Sequence, residues 1–186
     1  MRRFLEKFSL LQLVLCALMA ALGIAVKAVI VPLTHIVTGP LLIPGGAVAG
    51  GLYMLFLVLA CALCGKLGAA TVTAFIQAVL VIVTGLSGSH GAFSLVTYTL
   101  PGLAVDLVML LMRHRGGCIL CCFFAGVAAN VAGTLAVGAA VLGLPLVPLL
   151  LSLALAALSG GLGGLLVRRI SKSLQELGVI QTSQVK

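Results

Sequence analysis

The feature that most constrains this sequence is a series of six apolar stretches of about membrane-spanning length, which fill most of the 186 residues. The chain is 62% hydrophobic and 8% charged, and a soluble domain of this length could not bury that much apolar surface. A helix crosses the hydrocarbon core with roughly 20 residues. We therefore predict an all-α integral membrane protein, a six-transmembrane-helix bundle forming one domain over residues 1–186, with helices at about 10–31, 47–64, 68–84, 93–112, 118–142 and 146–167.

Proline and glycine set the predicted boundaries of these helices. Pro32 is expected to end the first helix, and residues 32–46 are expected to form a structured loop. A second loop is predicted over residues 85–91. Pro101 is expected to kink or locally unwind the fourth helix, and the polar tail from Arg168 onward is expected to lie on the membrane surface.

The positions of the cations predict the topology. Ten of the eleven Lys and Arg residues lie at the two termini or in the connections between helices 2 and 3 and between helices 4 and 5. An excess of Lys and Arg marks the cytoplasmic side, so both termini are predicted to be cytoplasmic. The membrane is expected to be a bacterial-type plasma membrane. The small, separated clusters and the absence of Trp do not suggest a nucleic-acid partner.

Small residues recur at helical spacing on three of the predicted helices. Ala17, Ala21 and Ala25 form such a stripe on the first helix, and Gly46-x-x-x-Gly50 and Gly160-x-x-x-Gly164 occur on the second and sixth. This spacing lets helix backbones approach closely in lipid. Such motifs usually serve packing within the bundle. For the alanine stripe, the alternative is contact with a partner subunit.

Two ionisable residues within the predicted spans are candidate ligand contacts. Asp106 is the only acidic residue inside a span, where a carboxylate is costly and is usually paired or exposed to a cavity. We expect the Asp106 carboxylate either to contact a small molecule or to form a structural pair with Lys66 or Arg113. Lys27, near the outer end of the first helix, extends to the membrane surface or points into an outward-facing pocket.

Five further polar residues are candidates for the same pocket. The amides of Gln77 and Asn130 lie near the middle of the membrane, where they bond neighbouring helices or bind a ring with mixed donors and acceptors. His35, His90 and Tyr98 lie in or beside the two longer outer loops. The histidines lack the spacing of metal ligands.

Catalysis is not predicted. The sequence contains no phosphate-binding loop, no zinc-protease motif and no serine-hydrolase motif, so it is not expected to hydrolyse ATP itself. Cys61-x-x-Cys64 and Cys118-x-x-Cys121 lie at cytoplasmic helix ends and could together ligate a metal. Their surroundings are apolar helix, which favours packing, and neither a metal nor another cofactor is expected.

The size, the topology and the alanine stripe resemble the substrate-binding S component of an energy-coupling factor (ECF) transporter. Within that family the sequence is most similar to the thiamine-precursor (hydroxymethylpyrimidine) type. The stretches that carry this similarity are Pro44-Gly45-Gly46, Gly65-Lys66-Leu67-Gly68-Ala69-Ala70, Gly88-Ser89-His90-Gly91 and Pro101-Gly102-Leu103-Ala104-Val105-Asp106.

The resemblance implies capture of a vitamin or vitamin precursor outside the cell and its release inward. It also implies two kinds of partner, namely a transmembrane coupling subunit that contacts Ala17, Ala21 and Ala25, and two cytoplasmic ATPases. Three alternatives remain open: a self-sufficient carrier or channel, an S component for another B vitamin or a tetrapyrrole, and a membrane enzyme or metal-handling protein that uses the cysteine pairs.

Overall fold

The computed structural model of the protein describes residues 8–85, 91–112 and 118–176, and the regular elements in these ranges are helices. Five of the six α-helices in these ranges are long and apolar enough to cross a membrane, while the third, Ala69–Thr84, has 16 residues. The all-helical, multi-pass membrane fold is therefore confirmed. Six crossings and cytoplasmic termini stay predictions.

The elements are α1 (Leu10–Thr38), a 3₁₀ turn (Gly39–Leu41), α2 (Gly45–Cys64), α3 (Ala69–Thr84), α4 (Ser94–Leu111), α5 (Ile119–Ala140) and α6 (Leu146–Glu176).

The first helix does not end at Pro32, contrary to the prediction. It continues to Thr38, so the predicted loop is reduced to the 3₁₀ turn and the few residues before Gly45. Pro32 removes the backbone donor for one carbonyl, that of Ala28, and transmembrane helices tolerate the loss of a single such hydrogen bond. The turn that follows is supported by the Thr34 hydroxyl, which lies 3.0 Å from the carbonyl oxygens of both Ile30 and Val31.

Two other expectations about helices are revised. Residues 177–186 lie outside the described residues, and the first part of the tail predicted beyond Arg168 is not a separate segment, because α6 continues through it to Glu176. This stretch contains no proline or glycine and is rich in residues that favour helix. In α4 the helix is uninterrupted at Pro101, so the local unwinding considered there does not occur.

Glycines allow the backbones of α2, α5 and α6 to touch. A Cβ atom added at Gly163 would lie 2.1 Å from the Gly51 carbonyl oxygen, and one added at Gly160 would lie 2.4 Å from the Gly126 carbonyl oxygen. Such distances are too short for any other residue. The Gly160-x-x-x-Gly164 motif therefore packs α6 against α5, as the sequence spacing predicts.

Asp106 of α4 caps the N-terminus of α3. Gly68 precedes α3 and has no side chain to cap it, so the first N–H groups of the helix need an acceptor from elsewhere. The Asp106 carboxylate accepts hydrogen bonds from the backbone N–H of Gly68 at 3.0 Å and of Thr71 at 2.8 Å, and from the Thr71 hydroxyl. A carboxylate also interacts favourably with the positive end of the helix dipole. This contact fixes α3 against α4.

We predict that Asp106→Asn destabilises the protein by about 2 kcal/mol, because hydrogen bonds to a charged acceptor are lost and the new amide donor faces N–H groups. In a domain of this size that corresponds to a fall of about 4–8 °C in the unfolding midpoint. Thermal unfolding of the detergent-solubilised protein measures this fall in the midpoint. Glu176→Gln is the matched control, since the Glu176 carboxylate forms an exposed pair with Lys172 and contributes little. Equal midpoints for the two variants would contradict the capping role.

Candidate ligand-binding site

A cavity of about 300 Å³ lies at one end of the bundle, here called the cavity end. Its wall combines the C-terminal halves of α1, α3 and α5 with the N-terminal halves of α2 and α4. The volume is at the small end of the range for ligand pockets, roughly 300–1,000 Å³. The wall is mainly apolar, and its polar side chains belong to Lys27, His35, Tyr53, Gln77, Thr97, Tyr98 and Thr134.

Lys27 points into this cavity and does not extend to the surface. Its ammonium donates a hydrogen bond to the Tyr98 hydroxyl at 2.5 Å and lies 4.0 Å from the centroid of the Tyr98 ring. The Tyr53 ring centroid is 5.5 Å away on another side. Two aromatic faces thus surround the cation and partly replace its hydration.

No carboxylate faces Lys27 from the described part of the chain. The whole sequence has three acidic residues, Glu6, Asp106 and Glu176, of which Glu6 lies outside the described residues. Asp106 caps α3 and Glu176 pairs with Lys172. A partly buried cation without a neighbouring anion is costly, and this cost is usual at sites that receive a ligand.

Gln77 lies on the same wall, beside Gly23 of α1. The Gln77 side chain is 5% exposed, and its Nε2 atom would be only 2.3 Å from a Cβ atom at position 23. Only glycine at this position leaves room for the amide. Because Gly23 and Lys27 are four residues apart on one helix face, the amide and the ammonium are neighbours along the cavity wall.

The rim of the cavity is formed where α1 meets the start of α2. The Thr34 hydroxyl lies 3.0 Å from the Gly45 carbonyl oxygen, and a Cβ atom at Gly45 would lie 2.7 Å from the backbone nitrogen of His35. This close approach positions His35, an exposed residue, at the edge of the cavity. The second predicted loop histidine, His90, lies outside the described residues.

Asn130 is placed between helices and does not line the cavity. Its Nδ2 atom donates to the carbonyl oxygens of Ala47 on α2 and Ala156 on α6, at 3.0 and 2.9 Å. Its Oδ1 atom packs directly against Gly50. The amide therefore links α2, α5 and α6, which is the interhelical alternative weighed for it from the sequence.

The end of the bundle opposite the cavity contains Asp106 and several of the cysteines. Here Cys16 and Cys64 have their sulfur atoms 3.8 Å apart, and the Cys61 sulfur is 3.9 Å from the Asp106 carboxylate. In the described residues, no three or more His, Cys, Asp or Glu side chains are grouped to hold a metal ion. Asp106 is thus separated from the cavity that was proposed to include it, because its position on α4 faces the start of α3.

Sequence reasoning identified four residues of the cavity wall, Lys27, His35, Gln77 and Tyr98, and missed others. Tyr53 was missed because a tyrosine in the second apolar stretch does not indicate by its spacing which way it points. One signal was present: the chain has only two tyrosines, and both prove to line the cavity. Gly23 was missed because its importance depends on Gln77, a residue from another helix.

The family described as "ABC-type cobalt transport system, permease component" matches residues 11–132. A solved structure titled "Crystal structure of an S-component of ECF transporter" has a TM-score of 0.78, with 24% sequence identity over 93% of this chain and 88% of that chain. No curated protein matches the sequence. The structural comparison shows that the two chains share a fold.

We predict that Lys27→Met leaves the unfolding midpoint unchanged or raises it by a few degrees, because a partly buried cation with no carboxylate partner among the described residues is replaced by an apolar chain of similar length. The measurement is thermal unfolding in detergent. Lys172→Met is the matched control at an exposed position and should have little effect. A clear fall in the midpoint of Lys27→Met alone would show that its contacts with the tyrosines stabilise the fold.

Proposed function

The chain belongs to the family of ABC-type cobalt transport system permease components, and on this premise we propose that it is the substrate-binding S component of an ECF-type importer. In this role it binds a small molecule and has no ATPase activity of its own. The observation that carries the proposal is the polar-lined cavity at one end of a small apolar bundle whose fold matches that of a solved S component.

We propose that the cavity end faces the outside of a bacterial plasma membrane. The connection from Gly65 to Gly68, which carries Lys66, lies at the opposite end, and the long α6 carries Arg168, Arg169 and Lys172 toward that same end. Basic residues favour the cytoplasmic side. In this orientation the cavity receives its cargo from outside.

The proposed partners are a transmembrane coupling subunit and two cytoplasmic ATPases. Ala17, Ala21 and Ala25 are all exposed and lie on one face of α1. Large apolar residues on the same helix are exposed beside them, including Leu18 and Leu22. A smooth face of this kind suits close contact with another transmembrane helix.

The proposed cargo is a vitamin or a vitamin precursor, with hydroxymethylpyrimidine as the first candidate. A cavity of about 300 Å³ suits a molecule with one small ring. The lining provides an ammonium, an amide, an imidazole and two phenols, which suit an organic solute with several hydrogen-bonding groups. Among the sequence candidates, Lys27, His35, Gln77 and Tyr98 are proposed to contact it. A role for His90 stays a prediction from the sequence.

We predict that Ala21→Trp abolishes assembly with the coupling subunit, because an indole on the alanine stripe prevents close helix contact. The experiment coexpresses the chain with the coupling subunit and two ATPases and measures their copurification. Ala154→Trp is the matched control, since Ala154 is an exposed alanine on α6, away from the stripe. Its complex should remain intact.

Two results would contradict this proposal. One is an intact complex with Ala21→Trp, which would exclude the stripe as the docking surface. The other is uptake of hydroxymethylpyrimidine by liposomes that contain this chain alone, which would favour a self-sufficient carrier. Uptake that requires the coupling subunit, both ATPases and ATP would support the S-component assignment.

A further inference from the structure

The Gln77 amide is a buried polar group on the cavity wall for which the described residues provide no hydrogen-bond partner. It is 5% exposed and lines the cavity wall, and none of the described residues forms a hydrogen bond with its side chain. Buried amides in folded proteins are normally hydrogen-bonded, and each exception requires an explanation. The other amide deep in the bundle, that of Asn130, donates from Nδ2 to two backbone carbonyls, while its Oδ1 atom has no hydrogen-bond partner among the described residues.

The position of this amide depends on two other helices. Gly23 on α1 has no side chain, and any Cβ atom there would lie 2.3 Å from Nε2 of Gln77. One helical turn along α1, Lys27 contributes a donor that contacts only aromatic groups in the described wall. The wall therefore presents an amide, with a donor beside an acceptor, next to a cationic donor.

We propose that Gln77 determines cargo specificity by recognising a ligand edge on which a hydrogen-bond donor lies beside an acceptor. Amino-substituted nitrogen heterocycles and primary amides both have such an edge, and glutamine pairs with it through two hydrogen bonds, as it does with adenine. Lys27 donates to a separate acceptor oxygen of the same molecule. This inference rests on the proposed function, since it assigns a ligand class to the same cavity.

The expected discrimination follows from the burial of Gln77. A ligand without the donor leaves the buried amide oxygen unpaired, and sites of this kind reject such ligands more strongly than apolar pockets do. A ligand that keeps the donor satisfies both halves of the amide. The expected difference in Kd is about tenfold or more.

The test uses two pairs of probes that differ in this donor. One pair is hydroxymethylpyrimidine and its analogue without the amino group, and the other is nicotinamide and methyl nicotinate. Calorimetric titration of the wild-type protein in detergent should show, in one of the two pairs, at least about tenfold tighter binding of the member with the donor. The pair that responds distinguishes an amino-heterocycle from an amide.

Variants connect this discrimination to Gln77. Gln77→Leu should reduce the ratio of the two Kd values to about one, and Gly23→Ala should reduce it by displacing the amide. Gln12→Leu is the matched control, because the Gln12 side chain caps α1 and bonds the Cys64 carbonyl at the opposite end, so the ratio should be unchanged. The comparison of probes on the wild-type protein requires no variant, so it remains decisive if Gln77→Leu fails to fold.

Three results would overturn the inference. The first is the same Kd for both members of each pair, and the second is a discrimination that Gln77→Leu leaves unchanged. The third is binding of neither pair by protein that still assembles with the coupling subunit and ATPases. The third result would remove the ligand class and leave the S-component proposal in place, whereas loss of assembly by the wild-type protein would argue against the S component itself.

Discussion

The structure depends on backbone contacts between helices that glycine makes possible. In hydrocarbon no hydrophobic effect drives helices together, so a bundle is held by close packing and by hydrogen bonds between helices. Gly51 and Gly163 bring α2 and α6 into contact, and Gly126 and Gly160 do the same for α5 and α6. The Asn130 amide then bonds carbonyls of both neighbours across this contact. These three helices form the firmly packed side of the protein.

The two ends of the bundle treat buried charge in different ways. At the end opposite the cavity, the Asp106 carboxylate accepts three hydrogen bonds from the start of α3, and these bonds hold α3 against α4. At the cavity end, Lys27 has two aromatic rings and a phenol oxygen, and no carboxylate in the described residues faces it. A paired charge stabilises a fold, while a charge without its counter-ion can bind an incoming group. This contrast is the physical reason for assigning the cavity end to ligand binding.

The cavity is also a place where stability and function are opposed. The Gln77 amide is buried and the Lys27 ammonium is partly buried, and neither is fully compensated within the described residues. Apolar side chains at these positions would cost less free energy in the empty protein. A binding subunit needs such groups, because their hydrogen bonds are completed only when cargo is present.

Much of the architecture follows from the sequence alone. The apolar stretches, their turn residues and the small-residue spacing predict a helical membrane bundle, the helix positions and the packing of Gly160 and Gly164. Four of the cavity residues, including Lys27 and Gln77, were also predictable, because polar groups in a membrane span are few and costly. The errors occurred where a local rule is overridden by the surrounding bundle: Pro32 removes one backbone donor, yet α1 continues to Thr38.

Only the tertiary structure decided which polar residues share a site. Asn130 and Gln77 have the same functional group, yet the Asn130 Nδ2 group bonds carbonyls of two neighbouring helices while Gln77 lines a cavity. Asp106 is the single intramembrane acid, yet its carboxylate lies at the start of α3 and not beside Lys27. Periodicity along one helix determines which residues lie on a common face. Which partner that face meets depends on how the helices pack, and that information is spread over the whole chain.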